Sequence, residues 1–334
     1  MAIRVAINGF GRIGRQILQA GINDPEIEWV AINDLTDTKT LAYLLKYDSI
    51  QARETKDVSA NSDSIVVNGK KILVFSEKDP LNLPWKKLNI DLVVESSGFF
   101  TDREGANKHI LAGAKKVLIS APGKNADATV VKGVNEHVLK QKTCSIVSNG
   151  SCTTNATSPL VKVLNDNFVV EKGYIMTTHA YTATQKLVDA PDAKDLRRGR
   201  SAAVNIVPST TGAAEAVVET IPELKGKLDG FALRVPVPCG SIITFVALVK
   251  KPTNKDEVNW LFKQVSQFHM KGVVQYVEDP IVSSDIIHNP YSCIFDSLLT
   301  KVTDGNLVSV TAWYDNEWGY SCRMVEMVKF LINS

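Results

Sequence analysis

The sequence is short of everything that would place it outside the ordinary globular proteins. No stretch approaches the roughly 20 apolar residues needed to span a bilayer. The opening segment, MAIRVAINGFGRIGRQIL, lacks both a long apolar run and a small-residue cleavage site, so neither a membrane span nor a secretory leader is expected. Cysteine is scarce. The five present (Cys144, Cys152, Cys239, Cys293, Cys322) are odd in number, widely scattered and free of any C-x-x-C pair. That spacing suggests neither a disulfide framework nor a zinc site, and a reducing, cytoplasmic location is the default expectation. Charge of one sign is also missing: 38 Lys and Arg stand against 36 Asp and Glu, a formal net charge of +2. Such a balance exerts no general pull on nucleic acid or an anionic membrane, so any bound anion must be held by local groups. There is no internal repeat and no low-complexity tract. What remains is 334 residues, 44% hydrophobic and 22% charged, enough for two domains each with its own core.

The first half alternates short apolar runs with helix-like segments. IRVAIN (3–8), WVAIND (29–34), DLVVESS (91–97), KKVLIS (115–120) and CSIVSN (144–149) read as strands, and GRIGRQILQAGI (11–22) as a helix. Continuous Val/Ile/Leu runs suit a parallel sheet covered on both faces, and the alternation predicts a doubly wound βαβ domain. From about residue 150 the strands become longer and more alternating, in 172–182, 230–249 and 306–316. Thr, Ser and Gly separate them, which predicts an antiparallel or mixed sheet. Residues 211–221 and 257–268 read as covering helices, 189–201 as an extended surface loop, and 320–332 as a docked terminal helix. The expected boundaries are a first domain over 1–149, completed by a helix over 317–334, and a second over 150–316.

Gly9-Phe10-Gly11-Arg12-Ile13-Gly14 forms G-x-G-x-x-G at the junction of the first strand and first helix. The chemistry needs glycine three times: for a tight turn, for close approach of a pyrophosphate, and for packing of helix on strand. The helix start then offers unpaired N–H groups and a positive dipole end to the phosphates. A glycine turn alone is common. Asp34 at the close of the second strand adds an acid placed to accept bonds from ribose hydroxyls, and it would repel a 2′-phosphate, which favours NAD over NADP. The plainer alternative for Asp34 is a strand-end turn residue.

SNGSCTTN (148–155) is the most informative stretch. Cys152 follows a small-residue turn and opens a predicted helix, where the dipole favours thiolate and lowers the pKa. Its backbone N–H is placed to stabilise an oxyanion. The other four cysteines read as small buried hydrophobes. His179, near the end of a predicted strand, offers the base that a nucleophilic thiol needs, though a packed or surface histidine fits the residues as well.

NGFGRIGR, IND, SNGSCTTN, TTHAYTATQ, STTGAA, LRVPVP and WYDNEWGYS occur in the order and spacing of the glyceraldehyde-3-phosphate dehydrogenases, and the chain resembles that family over essentially its whole length. The resemblance implies a Rossmann-type NAD domain followed by an α+β catalytic domain. It implies Cys152 as nucleophile and His179 as base in the phosphorylating oxidation of glyceraldehyde 3-phosphate to 1,3-bisphosphoglycerate. Thr182 and Arg234 would hold the substrate phosphate; Ser151, Thr153, Arg198, Thr211 and Gly212 would hold the attacking inorganic phosphate. The plain alternatives are a solvated basic loop for Arg197, Arg198 and Arg200, and a helix cap for the Thr/Gly stretch. On the cofactor side it implies Gly9, Gly11, the Arg12-Ile13 backbone, Gly14, Asp34, Lys78, Ser120 and Asn316, with Asn316 at the nicotinamide carboxamide. A homotetramer is implied too, with the 180–205 loop near a neighbouring subunit. Departures are few: Gly150 where alanine is usual, Ala156 where many members have a second cysteine, and Cys239-Gly240-Ser241 in place of an asparagine-containing turn.

Two rivals remain at this stage. Erythrose-4-phosphate dehydrogenase shares nucleophile and fold, but STTGAA argues for phosphate as acceptor. An RNA-binding or regulatory protein is a different class, and the absence of a basic stripe with interleaved aromatics speaks against it as a primary role.

Overall fold

The computed structural model describes residues 2–333 except 53, 55, 56, 142 and 194. The chain forms two compact units, one of residues 1–130, 136–151 and 321–334, the other of residues 131–135 and 152–320.

The first unit is α/β, built on a nine-stranded sheet. Its spatial order is Val58–Ala60, Ser64–Val67, Lys70–Phe75, Ile27–Asn33, Ile3–Asn8, Leu92–Glu95, Lys116–Ile119, Ile146–Ser148 and Ala128–Thr129. From Lys70–Phe75 onward all neighbours run parallel; the first two strands join antiparallel. The chain leaves Ile3–Asn8 on one side and returns on the other at Leu92–Glu95. That reversal defines a doubly wound sheet and puts its switch point beside Gly9. Hydrophobic runs explain the burial: Val5, Ile7, Val93, Val94, Val117 and Leu118 are wholly inaccessible. The antiparallel hairpin Ser64–Phe75 is not among the strands expected from sequence. It turns on Asn68-Gly69, both at positive φ (49° and 78°), the pairing that two-residue hairpin turns require.

The second unit carries a mixed sheet in the order Val207–Ser209, Leu228–Val235, Val170–Ala180, Ser241–Val249, Leu307–Tyr314, Cys293–Asp296 and Val274–Val277. Lys301–Thr303 also pairs with Leu307–Tyr314. Residues 230–249 divide into two strands, because Pro236 and Pro238 cannot continue a ladder and Gly240 turns at φ +89°. Ser241–Val249 alternates buried and half-buried along its length. Its buried side chains Ile243, Phe245 and Ala247 pack with Leu160, Leu164 and Phe168 of the helix Cys152–Phe168. Phe262 of the helix Lys255–Gln267 stacks on Phe295 at 3.9 Å in the same core. Each such fully buried side chain contributes about 1.5–3 kcal/mol, which anchors the helix that begins at Cys152.

Residues 189–201 contain one short 3₁₀ turn, Leu196–Gly199, capped by Asp195; Lys194 lies outside the described residues. Among the described residues no helix is long and apolar enough to cross a membrane.

Candidate active site

In the first unit the glycine turn sits at the carboxyl edge of the parallel strands. Gly9 has φ +89°, and a Cβ there would lie 2.4 Å from the Ser97 nitrogen. A Cβ on Gly14 would lie 2.3 Å from the Gly9 carbonyl oxygen, so the helix Arg12–Gly21 approaches its strand only because both positions are glycine. Gly11 differs: a Cβ there would meet nothing within 4 Å, and this residue caps the helix with no side-chain bond. An uncapped helix start facing open space fits the pyrophosphate of a dinucleotide. Ile13 lies in the first turn of that helix. The Arg12 guanidinium is committed to Asp48, bidentate at 2.8 and 3.1 Å.

Asp34 closes the second strand, half-buried. Its carboxylate accepts the Phe10 N–H at 2.8 Å and the Thr36 N–H at 3.0 Å, so it braces the glycine turn as well as facing outward. Ser120 follows the strand Lys116–Ile119 and donates its N–H to the Glu95 carbonyl at 2.9 Å. Lys78 is exposed after the strand Lys70–Phe75. Sequence reasoning missed the serines between them. Ser96 Oγ donates to the Gly9 carbonyl at 2.6 Å, and Ser97 donates N–H and O–H to Glu95 at 2.8 and 2.5 Å. The available signal was small polar residues ending a parallel strand.

In the second unit Cys152 is the first residue of its helix. Two residues earlier Gly150 has φ +61°, a conformation that costs an L side chain roughly 1 kcal/mol. The Cys152 Sγ lies 3.5 Å from Nε2 of His179, and 4.0 Å from the Thr153 hydroxyl. Strand pairing sets the rest: Val170–Ala180 runs parallel to Leu228–Val235 with His179 opposite Arg234. The Arg234 guanidinium touches His179 Nδ1 and donates to the Ala180 carbonyl at 3.1 Å. Nδ1 itself lies 2.6 Å from that carbonyl. The Arg234 nitrogen can only donate, so it and the Ala180 carbonyl cannot both be hydrogen-bond partners of Nδ1. We assign the ring proton to Nδ1, bonded to the carbonyl, because that tautomer leaves the Nε2 lone pair for the thiol. Nε2 is then a bare acceptor aimed at the thiol.

Electrostatics fix the charge of the ring, not its tautomer. Burial, then the Arg234 charge, lowers the His179 pKa from 6.5 to about 3, so the ring is neutral. Burial pushes the Cys152 thiol up, while Arg234 and the Thr153 hydroxyl pull it back. The expectation that the helix start would lower this pKa is therefore corrected: the side chain packs against the core of the unit, and desolvation outweighs the favourable partners. The resting pair is a thiol beside a neutral imidazole.

The remaining expected residues fall into two groups. Thr153 turns its hydroxyl inward to Tyr314 at 3.0 Å, and Thr177 holds the same Tyr314 hydroxyl at 2.9 Å. Thr182 and Arg198 are joined through Thr184, whose hydroxyl lies 3.0 Å from the first and accepts from the second at 2.7 Å. Arg198 also acts electrostatically on Arg234. Ser151 directly precedes Cys152, half-buried. Thr211 and Gly212 lie at the start of the helix Ala213–Thr220, where the Thr211 hydroxyl accepts the Ala213 N–H at 3.2 Å. Asn316 follows the strand Leu307–Tyr314 and accepts bonds from Gly240 and Ser241. Tyr314, Thr184 and Ser241 were not expected as parts of the site. Among the described residues no group of three or more His, Cys, Asp or Glu is disposed to hold a metal ion.

Residues 3–103 match the family model described as the glyceraldehyde 3-phosphate dehydrogenase NAD binding domain, and residues 151–316 that of the glyceraldehyde 3-phosphate dehydrogenase C-terminal domain. Among curated proteins, the chain is 52% identical to glyceraldehyde-3-phosphate dehydrogenase 2 of Streptomyces avermitilis, over 100% of this chain and 99% of the relative. It is 50% identical to the glyceraldehyde-3-phosphate dehydrogenase of Geobacillus stearothermophilus, over 99% and 98%. It is 49% identical to glyceraldehyde-3-phosphate dehydrogenase 2 of Bacillus subtilis, over 98% and 96%.

Proposed function

Because the chain belongs to the glyceraldehyde-3-phosphate dehydrogenase family, we propose that it oxidises D-glyceraldehyde 3-phosphate to 1,3-bisphosphoglycerate with NAD and inorganic phosphate. The observation that carries the reading is the 3.5 Å contact between the Cys152 sulfur and Nε2 of His179.

His179 takes the thiol proton as the sulfur bonds to the aldehyde carbon, which makes a neutral thiol competent despite its raised pKa. The carbonyl oxygen becomes the hydroxyl of a thiohemiacetal. When bound, the dinucleotide supplies the hydride acceptor. The His179 ring receives the hydroxyl proton as the carbon is oxidised to a thioester, with Arg234 resisting any lasting positive charge on the ring. A phosphate oxygen then attacks the thioester carbonyl, the C–S bond breaks, and Cys152 leaves as thiolate to recover its proton. Retaining the acyl group on sulfur keeps part of the oxidation energy in the acyl phosphate.

Arg234, with Thr182, holds the substrate's phosphate; Ser151, Thr153, Arg198, Thr211 and Gly212 serve the incoming phosphate. Guanidinium forks and hydroxyl or N–H donors are suited to both. The cofactor end is held by Gly9, Gly11, the Arg12-Ile13 backbone, Gly14, Asp34, Lys78, Ser120 and Asn316. The enzyme works in the cytoplasm as a homotetramer. Exposed Leu187 (80%), Leu196 (85%) and Val204 (75%) support that assembly, since apolar side chains this open suit burial against another subunit. Light scattering of the purified protein tests it.

The deciding measurement is NADH formation from glyceraldehyde 3-phosphate with and without inorganic phosphate, beside erythrose 4-phosphate. Turnover with the triose that requires phosphate is expected. Turnover indifferent to phosphate, or faster with the tetrose, would overturn the assignment.

A further inference from the structure

The turn Cys239-Gly240-Ser241 departs from the family pattern, and the reaction above makes no use of it. In the structure it is bonded residue by residue to the segment that follows Leu307–Tyr314. The Cys239 thiol donates to Asp315 Oδ1 at 3.1 Å. The Gly240 N–H donates to Asn316 Oδ1 at 3.2 Å, and the Ser241 hydroxyl donates to the same oxygen at 3.0 Å. The Ala180 N–H, next to His179, donates in turn to Ser241 Oγ at 3.1 Å. Gly240 has φ +89°, and a Cβ there would lie 2.4 Å from the Ser283 carbonyl oxygen, so only glycine allows the approach. From the other side, Asp315 is held by the N–H groups of His288, Glu317 and Trp318 at 2.7, 2.8 and 2.8 Å. Ser241 is 1% exposed and Asn316 6%.

These bonds decide which way round the Asn316 carboxamide lies. A backbone N–H can only donate, so the atom facing Gly240 must be the oxygen. Ser241 has one proton. Since its oxygen already accepts from Ala180, that proton goes to Asn316 Oδ1. The Nδ2 group is turned away from the Gly240–Ser241 turn and has no hydrogen-bond partner among the described residues.

We infer that Ser241, with Gly240, is a positioning residue for the nicotinamide end of the cofactor. It locks Asn316 with Nδ2 presented as a donor to the carboxamide oxygen, and through the Ala180 N–H it ties that donor to the strand position beside His179. This rests on the NAD reading above and names a group that reading does not include. A nicotinamide ring can present either face to a substrate; a donor of fixed direction selects one, and a loosely held asparagine does not.

Ser241→Ala, Asn316→Ala and the double variant are titrated calorimetrically with NAD and with ADP-ribose, which lacks the nicotinamide. Each single change is expected to weaken NAD binding about tenfold, the worth of one hydrogen bond to a buried group. ADP-ribose affinity stays at the parent value in all three, and the double variant is no weaker than Asn316→Ala alone. Unchanged NAD affinity in Ser241→Ala, or losses that add in the double variant, overturn the inference. A parallel loss of ADP-ribose affinity overturns it as well, because Ser241 then only supports the fold. Failure of the NAD reading itself looks different: the parent protein would bind neither ligand.

Discussion

His179 and Arg234 share one acceptor. The Nδ1 of His179 reaches the Ala180 carbonyl at 2.6 Å and the guanidinium of Arg234 reaches it at 3.1 Å. The carbonyl contact holds the ring's rotation, and the guanidinium sets a positive charge against it. With the ring proton assigned to Nδ1, the thiol on the far side of the ring meets a lone pair, not an N–H. In the proposed mechanism His179 is then a base before substrate arrives, and Arg234 has two tasks: holding an anion and keeping the imidazole neutral.

The neutral ring has a cost that stability measurements can read. In the unfolded chain the imidazole gains its proton below about pH 6.5; in the fold it does so only near 3. Between those values the unfolded state binds the extra proton, so this contribution is complete above pH 6.5 and is lost as the pH falls towards 3. Its full size is on the order of a few kcal/mol. Urea unfolding of the parent and of His179→Asn, compared from pH 7.5 to pH 4, should show the shallower acid decline in the variant. Equal slopes would mean that His179 is protonated in the fold.

Arg234→Gln separates the two tasks of the arginine. With the charge gone, the His179 pKa moves up from about 3 towards its ordinary value. The loss of a charge-assisted anion contact should lower kcat/KM for glyceraldehyde 3-phosphate by roughly 10²-fold. Unphosphorylated glyceraldehyde, which has no anion to hold, should suffer far less. Kinetics with both aldehydes is the check, and equal losses on the two would remove Arg234 from the anion site. Arg234→Lys should not restore the parent, because a point charge cannot reproduce a fork that spans the Ala180 carbonyl and an anion.

The sequence reveals parts of this site and hides others for physical reasons. The run Ile3–Asn8 followed by Gly9, Gly11 and Gly14 is legible because strand, turn and helix start are local and each glycine answers a local contact. The helix that begins at Cys152 is legible from its small-residue turn. The meeting of Cys152 with His179 is not, because it depends on a whole helix and a returning strand. Nor is the meeting of His179 with Arg234, which is set by the register of two parallel strands. Asn68-Gly69 shows the opposite case: its hairpin signal is local and strong, but it lies outside the alternation of strands and helices that dominates the first half. Ser241 showed itself only as a departure from a pattern. Its meaning lies in bonds to residues 180 and 316, which no local reading joins.

Asp34 tests the cofactor side. Its carboxylate, proposed to meet the ribose, braces the glycine turn through the Phe10 N–H at 2.8 Å. Asp34→Asn removes the charge and keeps only one of the two oxygens that accept the Phe10 and Thr36 N–H groups, so the turn loses one bond, about 1 kcal/mol, while the fold should persist. Discrimination against NADP should fall at least about tenfold, since a like charge beside a 2′-phosphate is worth more than 1.4 kcal/mol at close range. The ratio of kcat/KM for NAD and NADP measures this directly. An unchanged ratio would show that the preference is set elsewhere.

Cys152→Ser asks whether the sulfur itself is required. Oxygen for sulfur is a nearly isosteric change at a half-buried position, so the helix start and its packing should persist and the melting temperature should stay close to the parent's. NAD affinity should persist too, since no cofactor contact is altered. The chemistry should not persist. A hydroxyl is a far weaker nucleophile than a thiol beside the same base, and an oxygen ester holds the acyl group at lower energy than a thioester. Turnover is expected to fall by at least about 10³-fold. Mass spectrometry of the parent mixed with substrate and NAD, with phosphate withheld, should show an acyl adduct on Cys152 that disappears when phosphate is added. A variant that retained substantial turnover, or a parent that carried its adduct on another residue, would move the reaction away from this thiol.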